Sequence, residues 1–420
     1  MAHIPSVIKL KEHEQLNPEY LVQLKELGIE FKDTEYFQSP SYLGMKPDGC
    51  ASYYIGADWL HEGKSIALTV LPKMENIDFV EMYMTALKFD LPGDYFSKIY
   101  HIDFTKRAIE TDLLKDQLTP LLILHYLNVV KRIVNRGLKH DYVAQEENLQ
   151  SRIKGRIKIA RNDRLNVIPN RYDRIYCEFN EYIIDTPENR LLKKALVFSK
   201  KYIYLLHKHK SFASICKLAD KILCHFECVS SEIEIHQVKE MRQHKIYKDY
   251  NEGLNLAKMI LKRFSYSLQN VNNNYNLISP FWIDMSRLYE VYVYNLLYEK
   301  YGDTIQFQVE GSYGSAVDFI KKDEILIIDT KYKPKYNDGN SGILKDVRQI
   351  SGYARDNKIL KELGVLTDTV VPCIIIYPEK VEKDDKLINN FTEENLQESA
   401  TSINGFNKFY KLSVSLPILG

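Results

Sequence analysis

At 420 residues the chain exceeds what one ordinary hydrophobic core organises, so two or three domains are expected. Hydrophobic residues at 45% and charged ones at 27% lie near the average for soluble domains, which excludes a largely disordered chain. With 57 Lys and Arg against 56 Asp and Glu, no net field marks the molecule as a nucleic-acid binder, and any such contact must come from a local patch.

The first hundred residues mix short strands with two marked helices. Asn17-Pro18-Glu19 opens one with a cap, a proline at the first helical position and early negative charge, and Gly28 closes it. Tyr53 to Gly56 and Ile66 to Leu71 read as strands, the second broken by Pro72-Lys73. Asp78 and Glu81 form a capping-box pattern ahead of Phe79, Met82, Tyr83, Ala86 and Leu87 at helical spacing. Residues 1–105 are therefore expected to form a small α+β unit.

From 106 to 276 the pattern is mainly helical. Thr119-Pro120 starts a helix that Gly137 ends, and Thr186-Pro187-Glu188 starts another through Leu191, Leu192, Ala195 and Leu196. The apolar run Leu121 to Val130 is too short to span a bilayer and carries His125 and Asn128, so it reads as a core helix. One strand-like interruption alternates Arg152, Lys154, Arg156 and Lys158 with Ile153, Gly155, Ile157 and Ile159. Such a strand would present four cations on one face, either to phosphates or an acidic protein surface, or as a solvated edge.

The polar stretch Val271 to Asn276 marks a boundary, and 277–420 alternates helix and strand as an α/β sheet covered by helices. Phe281 to Lys300 and Ile343 to Asn357 are predicted helices. Strands are predicted near Ile305 to Val309, Ala316 to Phe319, Ile325 to Lys331 and Val370 to Tyr377.

The chemistry concentrates in this last region. The aliphatic run Ile325 to Ile328 reads as a strand buried on both faces, which makes Asp329 and Lys331 at its end costly unless each has a partner. On one strand these two side chains share a face about 6.5 Å apart. That spacing suits one divalent cation, Mg2+ or Mn2+, bound by a carboxylate beside an ammonium that reaches the attacking water or the phosphate. Asp318 on the preceding strand supplies a second carboxylate. Glu290 sits in an apolar helical setting among Leu288, Tyr289, Val291, Tyr292 and Val293, where a metal or a basic partner would stabilise it. Gln349 and Tyr353 share a helix face. Lys331 to Lys361 holds eight Lys or Arg against three Asp, so Lys333, Lys345 and Arg348 join Tyr353 as candidate DNA contacts.

The segments Met285 to Glu290, Val317-Asp318, Ile328 to Lys333 and Arg348 to Ala354, in that order, resemble the PD-(D/E)xK nucleases, in particular the McrC family. Val70 to Met74, Gly155 to Ile157 and Thr186 to Lys193 resemble that family's earlier segments, whereas the first fifty residues match nothing recognisable. Val317 stands where the superfamily has proline, but the expected ligand is the following Asp318. The resemblance implies an α+β multidomain chain with a motor-docking N-terminal domain, a helical middle region and a restriction-endonuclease-like C-terminal domain. It also implies a metal-dependent DNA endonuclease subunit that cuts double-stranded DNA with 5-methylcytosine-type modification. An McrB-like AAA+ GTPase ring would be its partner. The chain has no Gly-x-x-x-x-Gly-Lys-Ser/Thr loop, in keeping with a motor on another chain.

Other signals are weaker. Cys224, His225 and Cys228 lack the second pair of ligands that a structural zinc site uses. Six scattered cysteines and no secretion-like N-terminus suit a reducing cytoplasm. Trp59 could stack on a base or belong to a core. The competing readings are a non-catalytic regulatory subunit of an AAA+ motor and a PD-(D/E)xK nuclease of repair or recombination.

Overall fold

The structure is a computed structural model that describes residues 5–32, 40–74, 77–86, 95, 98–103, 106–110, 118–205, 212–238, 247–269, 277–333, 341–379, 391 and 395–418. It divides into two compact units, one made of Met1–Gln117 with Asn272–Gly420 and the other of Leu118–Val271. The proposed boundary at Val271 to Asn276 lies outside the described residues, as does Leu87 of the second predicted helix.

The first unit opens with β1 (Val7–Lys11), α1 (Pro18–Glu26), β2 (Tyr54–His61) and β3 (Ile66–Leu71). It continues through α2 (Phe79–Ala86), β4 (Tyr100–Ile102) and β5 (Ile109–Glu110). The Asn17 side chain accepts from the Glu19 N–H at 2.9 Å, satisfying one orphan donor of α1. Asp78 does the same for Glu81 at 3.0 Å. Leu24 of α1 packs with Ile8, Leu10, Leu68 and Val70.

The second unit contains α3 (Leu118–Arg136), β6 (Asp141–Gln150), β7 (Arg156–Ile157), α4 (Ile159–Asn162) and β8 (Arg174–Ile183). Helices α5 (Pro187–Leu205), α6 (Phe212–Cys224) and α7 (Lys248–Gln269) complete it. Helices α3 and α7 are tied by His125 to Glu252 at 3.0 Å and Arg132 to Glu252 at 2.9 Å, and α5 and α7 by the Tyr250 hydroxyl to Asn189 at 2.8 Å. The region is less helical than its pattern predicts. Antiparallel β6 and β8 pair from Asp141 opposite Ile183 to Gln150 opposite Arg174, and β7 adds an edge in the order β6-β8-β7. The predicted basic strand shrinks to two residues, and Ile153 and Ile159, expected on an apolar face, are 60% and 71% exposed. Three of its four cations meet acids of the same sheet: Lys154 to Glu181 at 3.4 Å, Arg156 to Glu178 at 2.5 Å and Lys158 to Glu178 at 3.0 Å. That pairing suits a solvated edge better than a phosphate track.

The chain then returns to the first unit through β9 (Leu277–Ile278), β10 (Phe281–Asp284) and α8 (Met285–Tyr301). There follow β11 (Ile305–Glu310), β12 (Ala316–Lys321), β13 (Leu326–Thr330), α9 (Ser341–Tyr353) and α10 (Asn357–Glu362). Strands β14 (Cys373–Glu379), β15 (Thr401–Ser402) and β16 (Phe409–Ser415) end it. The helix predicted from Phe281 thus begins four residues later. Phe281 to Asp284 instead form a central strand of the N-terminal sheet, ordered β1-β3-β2-β10-β4. Gly56 permits this approach: it has φ +145°, and a Cβ there would lie 2.1 Å from the Phe281 carbonyl oxygen. Asp284 then caps α8, accepting from the Arg287 N–H at 3.0 Å.

The second sheet runs β11-β12-β13-β14-β16-β15, antiparallel across β11, β12 and β13 and parallel across β13, β14 and β16. Ile320, Ile327 and Ile375 pack with Ile343, Val347 and Ile350 of α9 and Ile359 of α10, closing a core behind the ends of these strands.

Candidate functional site

The acids of the C-terminal region come together where β12, β13 and α8 meet. Phe319 lies opposite Ile328, so one further step of the same register brings Asp318 level with Asp329. Asp318 sits just past the last β12–β13 pair. One of its oxygens accepts both the Thr330 N–H and the Thr330 hydroxyl at 2.7 Å. Lys331 follows the end of β13, yet its ammonium reaches back to Asp329 Oδ2 at 2.6 Å and donates to Gln349 Oε1 of α9 at 3.1 Å. Gln349 in turn donates to the Tyr353 hydroxyl at 3.2 Å, so the i,i+4 pair on α9 extends a chain of hydrogen bonds from the lysine.

Glu290, from the middle of α8, is 9% exposed and is held by two groups that sequence reasoning did not single out. The Tyr95 hydroxyl donates to its Oε2 at 2.7 Å, and the Gln308 amide of β11 donates to its Oε1. Neither carries a local signal. Tyr95 is one of thirty tyrosines, and Gln308 is an ordinary polar residue in a strand.

Burial and mutual repulsion set the electrostatics. Glu290 is pushed up to about 8 by burial and by Asp318, against the pull of Tyr95, Gln308 and Arg287. Asp329 is pushed up to about 7, first by burial and then by Asp318, with Lys331 opposing. Burial likewise raises Asp318, against its Thr330 hydrogen bonds and Lys331. Burial alone would lower Lys331, but Asp329, Asp318 and Asp346 outweigh it and hold the ammonium above its ordinary value. Glu290, Asp318 and Asp329 thus share little positive charge: Lys331 acts on the two aspartates and Arg287 on Glu290, while Asp318 disfavours the ionisation of both other acids. The donor set of three hard oxygen groups short of positive charge fits a divalent cation such as Mg2+. As they stand, however, no three His, Cys, Asp or Glu side chains among the described residues form a ready cage for an ion. Each acid is already tied to a protein donor, and those ties would have to open or be shared.

The candidate DNA contacts differ among themselves. Lys345 and Arg348 are exposed on α9, whereas Lys333 is engaged by Asp346 at 2.7 Å. Trp59 is buried, its indole N–H donating to the Arg107 carbonyl at 2.7 Å, which makes it a core residue. Cys224 and Cys228 are free and exposed. Among the described residues no helix is long and apolar enough to cross a membrane.

These features define a mixed α/β protein with several sheets, whose acid-and-lysine cluster gathers at the strand ends of its C-terminal sheet. The chain belongs to the family described as McrBC 5-methylcytosine restriction system component, whose model matches residues 51–361, more than half of its length. No curated protein matches it. Among solved structures it is similar to a chain in a half-complex from a tetradecameric assembly of Thermococcus gammatolerans McrB AAA+ hexamers with bound McrC. That pair shares 16% identity at a TM-score of 0.40, covering 98% of this chain and 95% of the other. A second similarity is to a chain of the Thermococcus gammatolerans McrBC complex, at 16% identity and TM-score 0.32, covering 70% of this chain and 88% of that one.

Proposed function

We propose that this chain is the nuclease subunit of a modification-dependent restriction system, hydrolysing DNA phosphodiesters with Mg2+ or Mn2+ under the control of an McrB-like AAA+ GTPase. The observation that supports this best is the convergence of Glu290, Asp318 and Asp329 beside Lys331, in the order and on the kinds of element used by a PD-(D/E)xK nuclease domain. Membership in the McrBC family supplies the biological setting.

In this reading Glu290, Asp318 and Asp329 would hold the ion. When bound, it would supply Lewis acidity toward the phosphate and make a coordinated water more acidic. The chain's own part is positional. Asp329 and Gln349 fix the Lys331 ammonium between them, and the acids keep it protonated, so it can orient the attacking water or face the charge that develops on the phosphate. Exposed Lys345 and Arg348, with Tyr353 beside them on α9, would contact the DNA backbone. Lys333 would do so only by releasing Asp346.

A subunit that regulates the motor without cutting is the second reading, and one observation favours it: each acid already has a protein partner. Both are tested by mixing the full chain with an McrB-like GTPase, GTP and Mg2+ on methylated and unmethylated duplexes, with chelator as control. Cleavage that needs Mg2+, GTP and methylation supports the nuclease. Stimulated GTP hydrolysis without cleavage supports the regulator, and cleavage indifferent to methylation and motor points to repair or recombination.

A further inference from the structure

Gln308 has a backbone that the sheet does not ask for. It lies in the middle of β11 with φ +50°, a left-handed conformation that a residue with a Cβ adopts at a cost. On one side of it Phe307 pairs with Phe319, and on the other Val309 pairs with Val317. The count of residues is equal on both strands, so this is not a bulge that absorbs an extra residue. Only the pair between them, Gln308 and Asp318, drops out of the ladder. The flanking side chains keep ordinary core roles: Phe307 stacks on Phe319 with centroids 5.9 Å apart, and Val309 is buried. The departure is therefore local, and what accompanies it is the bond from the Gln308 amide to Glu290 Oε1.

We propose that Gln308 is a positioning residue of the acid cluster, its left-handed backbone turning the amide onto Glu290 so that the carboxylate is set for a divalent cation shared with Asp318 and Asp329. The proposal rests on the nuclease reading above and adds to it a residue that no motif identifies. The register lines up Gln308, Asp318 and Asp329 across three adjacent strands, placing the amide at the end of the row of acids. Its NH2 group is the end that a carboxylate can accept. Each carboxylate oxygen has two lone pairs, so Oε1 can accept the Gln308 amide and Oε2 the Tyr95 hydroxyl while both retain capacity for an ion. Donors of this kind commonly fix the orientation of metal-binding carboxylates. Backbone strain that the fold does not need is most simply explained where it orients a functional group.

The test uses the full chain, Mn2+ alone as the probe, calorimetry for affinity and thermal melting for stability, on wild type, Gln308→Ala and Gln308→Gly. Both variants should lose Mn2+ affinity by about 10–100-fold. Gln308→Gly should melt above Gln308→Ala and close to wild type, because glycine adopts positive φ freely. Affinity in both variants within twofold of wild type would overturn the proposal. So would a Gln308→Gly protein that melts as far below wild type as Gln308→Ala, since the amide would then be holding the fold rather than the site. A wild type that binds no Mn2+ would overturn the nuclease reading as well, which distinguishes that failure from failure of this inference alone.

Discussion

Lys73 donates from its ammonium to the backbone carbonyl of Tyr332 at 2.5 Å, although 259 residues separate them in the chain. The contact ties the loop after β3 of the N-terminal sheet to the residue that follows Lys331. The same ammonium lies 3.8 Å above the Tyr332 ring, and the Lys73 N–H donates to buried Glu12 at 2.9 Å. Burial pushes Glu12 up to about 7 and Lys73 down to about 8, so each charge persists mainly because the other is present.

Removing the lysine alone should therefore cost more than removing the pair. Lys73→Met leaves the Tyr332 carbonyl without its donor, at about 1–3 kcal/mol for such an unsatisfied group, and the buried Glu12 carboxyl without its counter-charge, although the backbone N–H of residue 73 still bonds it. Glu12→Gln with Lys73→Met should recover part of that loss, giving a non-additive double-mutant cycle by denaturant unfolding. Strictly additive effects would mean that the two groups do not depend on each other.

Asp329→Asn removes one of the mutually repelling acids while preserving shape. Cleavage should fall at least a thousandfold, about 4 kcal/mol of barrier. The melting temperature of the metal-free protein should hold or rise, because repulsion from Asp318 is relieved. Cutting by this variant at the wild-type rate would remove Asp329 from the site.

Lys331→Met separates chemistry from metal binding. The ammonium is placed by Asp329 and Gln349 and is not itself a ligand, so calorimetry should find Mn2+ bound at least as well as by wild type, whereas turnover is lost. If metal affinity disappeared together with activity, Lys331 would be a structural counter-ion for the acids.

Glu290, Asp329 and Lys331 stood out in sequence because each broke a local rule, a carboxylate in an apolar helix or charges ending an aliphatic strand, whereas Asp318 entered only as an acid on the neighbouring strand. The run Ile66–Leu71 and the cap at Asn17 were legible for the same reason, as strong local chemistry. Strands β6 and β8 were not. Asp141–Gln150 is mostly exposed and acidic, and its strand conformation comes from pairing with Arg174–Ile183 rather than from any alternation of its own. Phe281 to Asp284 merged with the helix behind it because periodicity cannot separate a short apolar strand from a buried helical turn. Tyr95 and Gln308 reach Glu290 only through long-range folding, for which one sequence carries no pattern.

Asp284 gives a pH dependence away from the acid cluster. Burial pushes its carboxyl up to about 6, against the pull of the Arg287 N–H and guanidinium. A carboxyl raised above its unfolded value contributes stability at low pH that is lost as pH climbs through about 6. Asp284→Asn can still accept the Arg287 N–H as a cap but cannot ionise. Its melting temperature should therefore gain on wild type between pH 4.5 and 7.5, by the equivalent of about 2 kcal/mol. A constant difference across that range would mean that the ionisation of Asp284 does not couple to folding.

The last prediction concerns which parts of the chain fold together. Cutting near Leu277 to isolate a nuclease fragment would detach β10 from a sheet in which it lies between β2 and β4, exposing Phe281 and Ile283. That fragment should aggregate or fail to melt cooperatively. Strands β5 and β9 suggest the better cut. Ile109 pairs with Ile278 and Glu110 with Leu277, so the chain leaves and re-enters the first unit on adjacent antiparallel strands. Replacing residues 111–276 by a short Gly-rich turn would close these strands as a hairpin and remove the second unit, as in other insertions between neighbouring chain ends. The shortened protein should melt cooperatively and retain Mn2+ binding measured by calorimetry. Loss of cooperative melting in this deletion, with the Leu277 fragment folded instead, would show that the C-terminal sheet is stable without the N-terminal one and that the shared unit is not a folding unit.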